Sequence, residues 1–234
     1  MLRFVATDVW VAEQAQSYFG LSIGTRMTVI RLQDTGNLLV LSPIEPTAEL
    51  VDALNALGRI DHIVAPNSFH HLYANAFKRR FPQARFWGSV ALKAKCPDLL
   101  IDQLLTADAP SPWPDLLLCQ LQGLNTMAPR GPVPLDEMAF CHIPSHTLLL
   151  TDSAFNFDAS FPWLTRFTTR IAVGFNRLEP TILERLASSN RRAVRASIDA
   201  VLAWDFERVI VAHGAIVECG GKPMLAAAYS GFQS

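Results

Sequence analysis

Short apolar runs rich in β-branched residues alternate along the chain with longer segments whose apolar residues recur every three or four positions, a pattern that predicts sheets faced by helices. Met27–Leu32 and Leu38–Ser42 read as strands joined through Asp34-Thr35-Gly36-Asn37, whose Gly and Asn suit a hairpin turn. Thr47 is placed to cap a helix over Ala48–Leu57, and Gly58 to end it. Ile60–Ala65 is then a strand, stopped by Pro66-Asn67-Ser68 because proline has no N–H to give to a ladder. A helix over Leu72–Phe81 precedes Pro82, and Ala84–Trp87 is a further short strand.

Seven of the fifteen prolines fall between Lys93 and Leu135, which reads as connecting loops around one apolar strand, Leu116–Leu121. The segments on either side each hold too few strands to bury a core alone, so one domain over 1–234 is expected. Met138–Cys141 and Thr147–Thr151 resemble two strands joined through Pro144 and Ser145. Phe157–Gly174 reads as partly helical. Leu183–Trp204 contains an amphipathic helix with Val194, Ile198, Val201 and Leu202 on one face and Arg191, Arg192 and Arg195 elsewhere. The last strand, Arg208–Ala212, stops at His213-Gly214.

Composition agrees with a well-buried α/β chain, since 50% of the residues are hydrophobic and 18% charged. Lys and Arg number 20 against 21 for Asp and Glu, without a long run of one sign, which argues against a nucleic-acid partner, and the short basic stretch Lys78-Arg79-Arg80 reads as a solvated helix face. No apolar run approaches the roughly 18 residues of a membrane span, and the first residues lack the basic and apolar regions of a secretory signal. The expected location is therefore cytoplasmic, with no membrane partner. The cysteines (Cys96, Cys119, Cys141, Cys219) are widely spaced and read as reduced thiols. The apolar loops of 96–135 suit either a lid or a homodimer contact.

Three strands end at, or just before, metal-competent side chains: His70 and His71 after the first, Asp152 after the second and His213 after the third. Imidazole and carboxylate are the donors a divalent ion accepts, and a catalytic site needs about three of them with one position open. The alternative reading of each is structural, a hydrogen-bonded histidine at a strand end or an aspartate that caps a turn.

The segments HIVAPNSFHHL, TLLLTDSAF and RVIVAHGAI follow the element order of the metallo-β-lactamase superfamily, and together with WDFERVIVAHG the chain resembles its DUF4336 branch. The resemblance implies an αββα sandwich, two mixed β-sheets flanked by helices. Matched to the superfamily motif T-H-x-H-x-D-H, its first two histidines fall on Pro66 and Ser68, its aspartate on His70 and its last histidine on His71. Proline offers no side-chain donor, so the resemblance implies that the first of two metal sites is lost. It leaves a second site of His71, Asp152 and His213, with His70 as a fourth ligand or general base, holding one divalent ion of zinc, iron or manganese. A metal-dependent hydrolase of a small-molecule substrate follows from that reading. The alternative is a catalytically inactive binding or structural protein in which the same residues form a hydrogen-bonded cluster. A serine nucleophile at Ser68 lacks the G-x-S-x-G context.

Overall fold

The computed structural model describes residues 1–18, 21–107, 109–128, 130–158, 161 and 177–232. The first half contributes β1 (Arg3–Ala6), β2 (Val9–Gln14), β3 (Ser17–Tyr18), β4 (Leu21–Ser22), β5 (Thr25–Arg31), β6 (Leu38–Leu41), α1 (Ala48–Leu57), β7 (Ile60–Val64), α2 (Ala74–Arg80), β8 (Arg85–Ser89), α3 (Val90–Lys95) and β9 (Gln103–Leu105). The second half contributes β10 (Leu116–Leu121), β11 (Asn125–Ala128), β12 (Gly131–Pro134), β13 (Glu137–His142), β14 (Thr147–Leu150), α4 (Ile182–Ala187), α5 (Arg191–Leu202), β15 (Arg208–Val211) and α6 (Gly221–Ala228).

Strands in the order β1-β2-β5-β6-β7-β8-β9 form one sheet, and β10-β13-β14-β15 form the other. Both are mixed: the first turns from antiparallel to parallel at β6–β7, the second at β14–β15. Val9, Val11, Ile30, Leu39, Leu41 and Val64 of the first sheet pack against Phe140, Leu149 and Ile210 of the second. The outer face of the first sheet is covered by Leu50, Val51 and Leu54 of α1, Phe77 of α2 and Leu92 of α3. Val194, Ile198 and Val201 of α5 and Leu225 of α6 cover the second. The architecture is thus the αββα sandwich that the sequence implied. Covering both faces explains why β5, β6 and β14 are buried along their length rather than at alternate positions.

Local chemistry sets the element ends. Thr47 accepts from the Leu50 N–H at the start of α1, and Asn190 accepts from the Ala193 N–H at the start of α5. The apolar stripe of α5 faces the sheet, while Arg195 pairs with Asp199 one turn on.

The structure departs from the expected elements in several places. The stretch 93–135 holds β9, the end of α3 and the β11–β12 hairpin besides the expected strand. Pro132 and Pro134 are two apart in β12, so both nitrogens lie on the same edge of a two-stranded ladder and need no bond to β11. The helical region near the C-terminus divides at Ser188–Asn190 into α4 and α5. The strand expected at Ala84–Trp87 runs over Arg85–Ser89, and β1, β2 and α6 were not anticipated. Of the expected helical stretch 157–174, residues 159–160 and 162–174 lie outside the described residues. No helix among the described residues is long and apolar enough to cross a membrane.

Candidate metal centre

The parallel pairs carry the site to one end of the sandwich. Leu41 of β6 stands beside Val64 of β7, and Leu150 of β14 beside Val211 of β15. The loops that leave these four strands therefore emerge together, where α/β sheets bind their ligands. Ser42 follows β6, the His70 loop follows β7, Asp152 follows β14 and His213 follows β15.

Three side chains converge there. His70 Nε2 lies 3.2 Å from His213 Nε2 and 3.3 Å from Asp152 Oδ1, and His213 Nε2 lies 3.3 Å from the same Oδ1. Their side chains are 8%, 6% and 15% exposed, so little water competes for the donors. Burial works against charge on Asp152, yet the neighbouring His70 and His213 hold its carboxyl far below the usual range. For His70, burial again opposes the charged form, and the Asp152 carboxylate overcomes it to raise the imidazole above its ordinary value.

Each donor is aimed by a partner behind it. His213 Nδ1 lies 2.6 Å from the Gly24 carbonyl, which can only accept, so Nδ1 carries the hydrogen and a neutral His213 presents a lone pair at Nε2. Phe155 stacks on the same ring, 5.8 Å between centroids at 13°. The buried guanidinium of Arg26 donates to the carbonyls of Val211 and Gly214 on either side of this histidine and is neutralised by Glu13. Gly214 has φ +116°, and a Cβ there would lie 2.3 Å from the Asn156 carbonyl oxygen, so only glycine fits the turn. His70 Nδ1 meets the Ser42 hydroxyl at 2.5 Å, and Ser42 itself sits in the left-handed region at φ +55°.

Asp152 is held from two directions. Asn67, wholly buried, donates from Nδ2 to Asp152 Oδ2 at 2.7 Å and accepts at Oδ1 from the Phe69 and His70 N–H groups. That clasp leaves Oδ1 to face the histidines. Behind it the carboxylate of Glu137, with no solvent exposure, accepts from the backbone of Thr151, Asp152 and Ser153 and from the Ser153 hydroxyl. The sequence reading missed Ser42, Asn67, Glu137 and Arg26. Charged residues inside otherwise apolar strands, Arg26 in β5 and Glu137 in β13, were the available signal for two of them.

Of the four sequence-derived ligands, the structure brings together His70, Asp152 and His213 and leaves His71 apart. His71 Nε2 lies 3.8 Å from Cys96 Sγ, and burial and the nearby Lys95 lower its basicity. Consecutive residues of a tight turn project in different directions, and Asn67 accepting from the His70 N–H selects His70 for the cluster. Pro66 and Ser68 serve the backbone: the Pro66 carbonyl accepts from Met138 N–H, and the Ser68 carbonyl from Lys95. Neither His70 nor His71 is hydrogen-bonded to Ser68 among the described residues.

The donor spacing suits one ion. Ligands about 2.0–2.1 Å from a tetrahedral zinc stand about 3.3 Å from each other, and the three separations are 3.2, 3.3 and 3.3 Å. A cavity of about 150 Å³ opens onto the triad, with Tyr73, Thr126, Glu184, Phe69, Leu135 and Phe155 in its wall.

Residues 6–174 match the sequence model of the family described as Domain of unknown function (DUF4336). No curated protein matches the chain. Among solved structures, the chain is similar to a metallo-β-lactamase from Pontibacter korlensis, with TM-score 0.64 and 11% identity over 100% of this chain and 99% of that one. It is also similar to the metallo-β-lactamase FIM-1 from Pseudomonas aeruginosa in its mono-zinc form, with TM-score 0.65 and 9% identity over 99% and 95% of the two chains. The metal-soaked Flv1 flavodiiron core from Synechocystis aligns with TM-score 0.63 and 12% identity over 99% of this chain and 60% of that one. Identities this low carry the fold and nothing finer.

Proposed function

The chain belongs to the DUF4336 family and has the metallo-β-lactamase-like fold, and from that premise we propose that it is a metal-dependent hydrolase of a small molecule, with one divalent ion on His70, Asp152 and His213. The observation that carries this reading is the triangle of donors 3.2–3.3 Å apart with the tautomer of His213 set by Gly24. With Nδ1 protonated, a neutral His213 turns its lone pair toward a carboxylate oxygen and a second imidazole nitrogen, a donor set that suits a divalent ion. The mono-zinc form of the structurally similar FIM-1 is in keeping with a single-ion site on this fold.

A divalent ion bound there supplies Lewis acidity to a substrate carbonyl and acidifies water at neutral pH. The protein's own residues do the rest. Asn67 holds Asp152 Oδ2, so a single carboxylate oxygen is presented. Ser42 and the Gly24 carbonyl fix the two ring planes, which spares the site any reorganisation on loading. In the cavity wall, Tyr73 Oη accepts from Gln14 Nε2 at 2.8 Å, and Gln14 is oriented by its own acceptance from the Glu45 N–H. The phenolic proton is thereby left for donation to a substrate oxygen that gains charge.

The second reading is a metal-free cluster in which His70 keeps a proton shared with Asp152 and His213. Hydrogen-bond distances among the three and the raised basicity of His70 favour it. Titration of chelator-treated protein with zinc, iron(II) and manganese(II), followed by calorimetry and X-ray absorption, separates the two. The proposal expects one equivalent bound through two imidazoles and a carboxylate, lost in His213→Ala. Absence of stoichiometric binding for all three metals would establish the proton-shared cluster instead.

A further inference from the structure

The cavity beside the triad has an unusual charge balance. Its described lining holds two carboxylates, Asp152 and Glu184, and no lysine or arginine. Asp152 is matched by the imidazoles. Glu184 is 4% exposed, and its donors among the described residues are neutral: the Thr126 hydroxyl at 2.7 Å on Oε1, the Thr181 N–H at 3.0 Å and the Thr181 hydroxyl on Oε2, and its own backbone N–H. The arginines nearest in sequence, Arg177 and Arg185, pair with Glu179 instead. Burial pushes the Glu184 carboxyl up, and the charge acting on it is the like charge of Asp152. The rings of Tyr73 and Phe155 line the same space, beside Phe69, whose ring carries the Lys95 ammonium 4.1 Å from its centroid. A buried carboxylate paired with no lysine or arginine among the described residues, in a cavity with aromatic walls, is the environment that recognises an organic cation.

We infer that the cavity takes a carbonyl compound bearing a protonated amine or guanidine, with the cationic head group against Glu184 and the carbonyl toward His70, Asp152 and His213. The carbonyl end rests on the hydrolase reading above, whereas the cationic end stands on Glu184. An ion on the triad sharpens the contrast, because the triad end of the cavity then carries a net positive charge while the Glu184 carboxylate remains in its wall. Anionic head groups such as phosphate or carboxylate are disfavoured at the Glu184 end by the same charge.

Three probes sharing one methyl ester and a two-carbon spacer test the charge: β-alanine methyl ester, its neutral isostere methyl butyrate, and the anionic monomethyl succinate. Their binding to the full chain is followed by ligand-observed NMR, first on chelator-treated protein, where no turnover consumes them, and then with zinc. The ammonium ester is expected to bind at least tenfold more tightly than methyl butyrate, and monomethyl succinate more weakly than either. Glu184→Gln should erase the preference while folding normally, since glutamine serves the same capping box with Thr181. Thr126→Lys, on the hairpin strand that faces Glu184, should erase it independently by supplying a competing ammonium. Tighter binding of the succinate ester, or a preference that survives both substitutions, would overturn the inference. Zinc titration of the same samples keeps the two readings apart. Ammonium preference without zinc binding removes the metal centre and leaves Glu184 as the cation site, and zinc binding without ammonium preference does the reverse.

Discussion

Glu137→Gln tests whether the loop that carries Asp152 is held by a buried carboxylate. Glu137 lies wholly inside the protein and accepts at Oε1 from Thr151 N–H at 2.9 Å and Ser153 Oγ at 2.6 Å, and at Oε2 from the Asp152 and Ser153 N–H groups, each at 2.8 Å. Glutamine keeps one oxygen. Its better orientation leaves that oxygen on the Asp152 and Ser153 amides and turns its NH2 toward Thr151, donor against donor, while the Ser153 hydroxyl rotates to accept. One buried N–H is stranded, at about 1–3 kcal/mol, and two charge-assisted bonds become neutral ones, at about 0.5–1 kcal/mol each. Partly offsetting this, a charge that burial and Asp152 both disfavour is removed. The net loss is about 2–4 kcal/mol, and at about 2–4 °C per kcal/mol for a chain of this size Tm falls by about 4–16 °C. Urea denaturation of the metal-free protein measures the free energy, and zinc calorimetry should show affinity weakened about 10–100-fold because Asp152 loses its bearing. Glu137→Leu, which strands three amides, should cost more than the glutamine variant. A glutamine variant within about 0.5 kcal/mol of wild type would refute the reasoning, since it would mean that the loop is not held by the charge.

Three further outcomes are expected. His71→Ala should change zinc affinity by less than about threefold and His70→Ala by more than about 100-fold; calorimetry giving equal losses would return His71 to the ligand set. Ser42→Gly should leave stability within about 1 kcal/mol, because relief of a left-handed serine offsets the added freedom of the unfolded chain, yet weaken zinc binding about tenfold through loss of the His70 contact; wild-type affinity in that variant would show that Ser42 does not orient the ring. In the metal-free protein His70 has a raised pKa, so its contribution to stability is complete below pH about 6.5 and is lost as pH rises through the higher folded value. Zinc must displace that proton, so affinity should rise with pH across the same window by up to about tenfold per unit, with proton release visible by calorimetry in buffers of different ionisation heat. Affinity independent of pH would show that His70 holds no proton there.

Much of the fold was legible because strand and helix periodicities are local. The runs at β5, β6, β7, β10, β14 and β15 stand within two residues of their expected bounds, and the ends of β7, β14 and β15 marked where polar residues gather. Besides β1, β2 and α6, the elements that escaped notice include a helix of only six residues at α3, and a hairpin strand whose two prolines mimic a loop until their shared outer edge is seen.

The site divides along the same line. Sequence order was enough to single out the pair His70-His71, Asp152 and His213, since each follows a strand that ends in the layer above the sheets, and the resemblance put His71 ahead of His70 as ligand. It could not choose between His70 and His71, because one step along a turn reverses a side chain and the choice rests on Asn67, whose amide reaches both the turn and Asp152. Nor could it find the supports, which come from far away in the chain: Ser42 to His70, Glu137 to the Asp152 loop, Gly24 and Arg26 to the His213 loop. Periodicity records which face of an element is buried. The direction of one lone pair depends on partners that meet only when both sheets have closed on each other, and that packing settled the geometry of this centre.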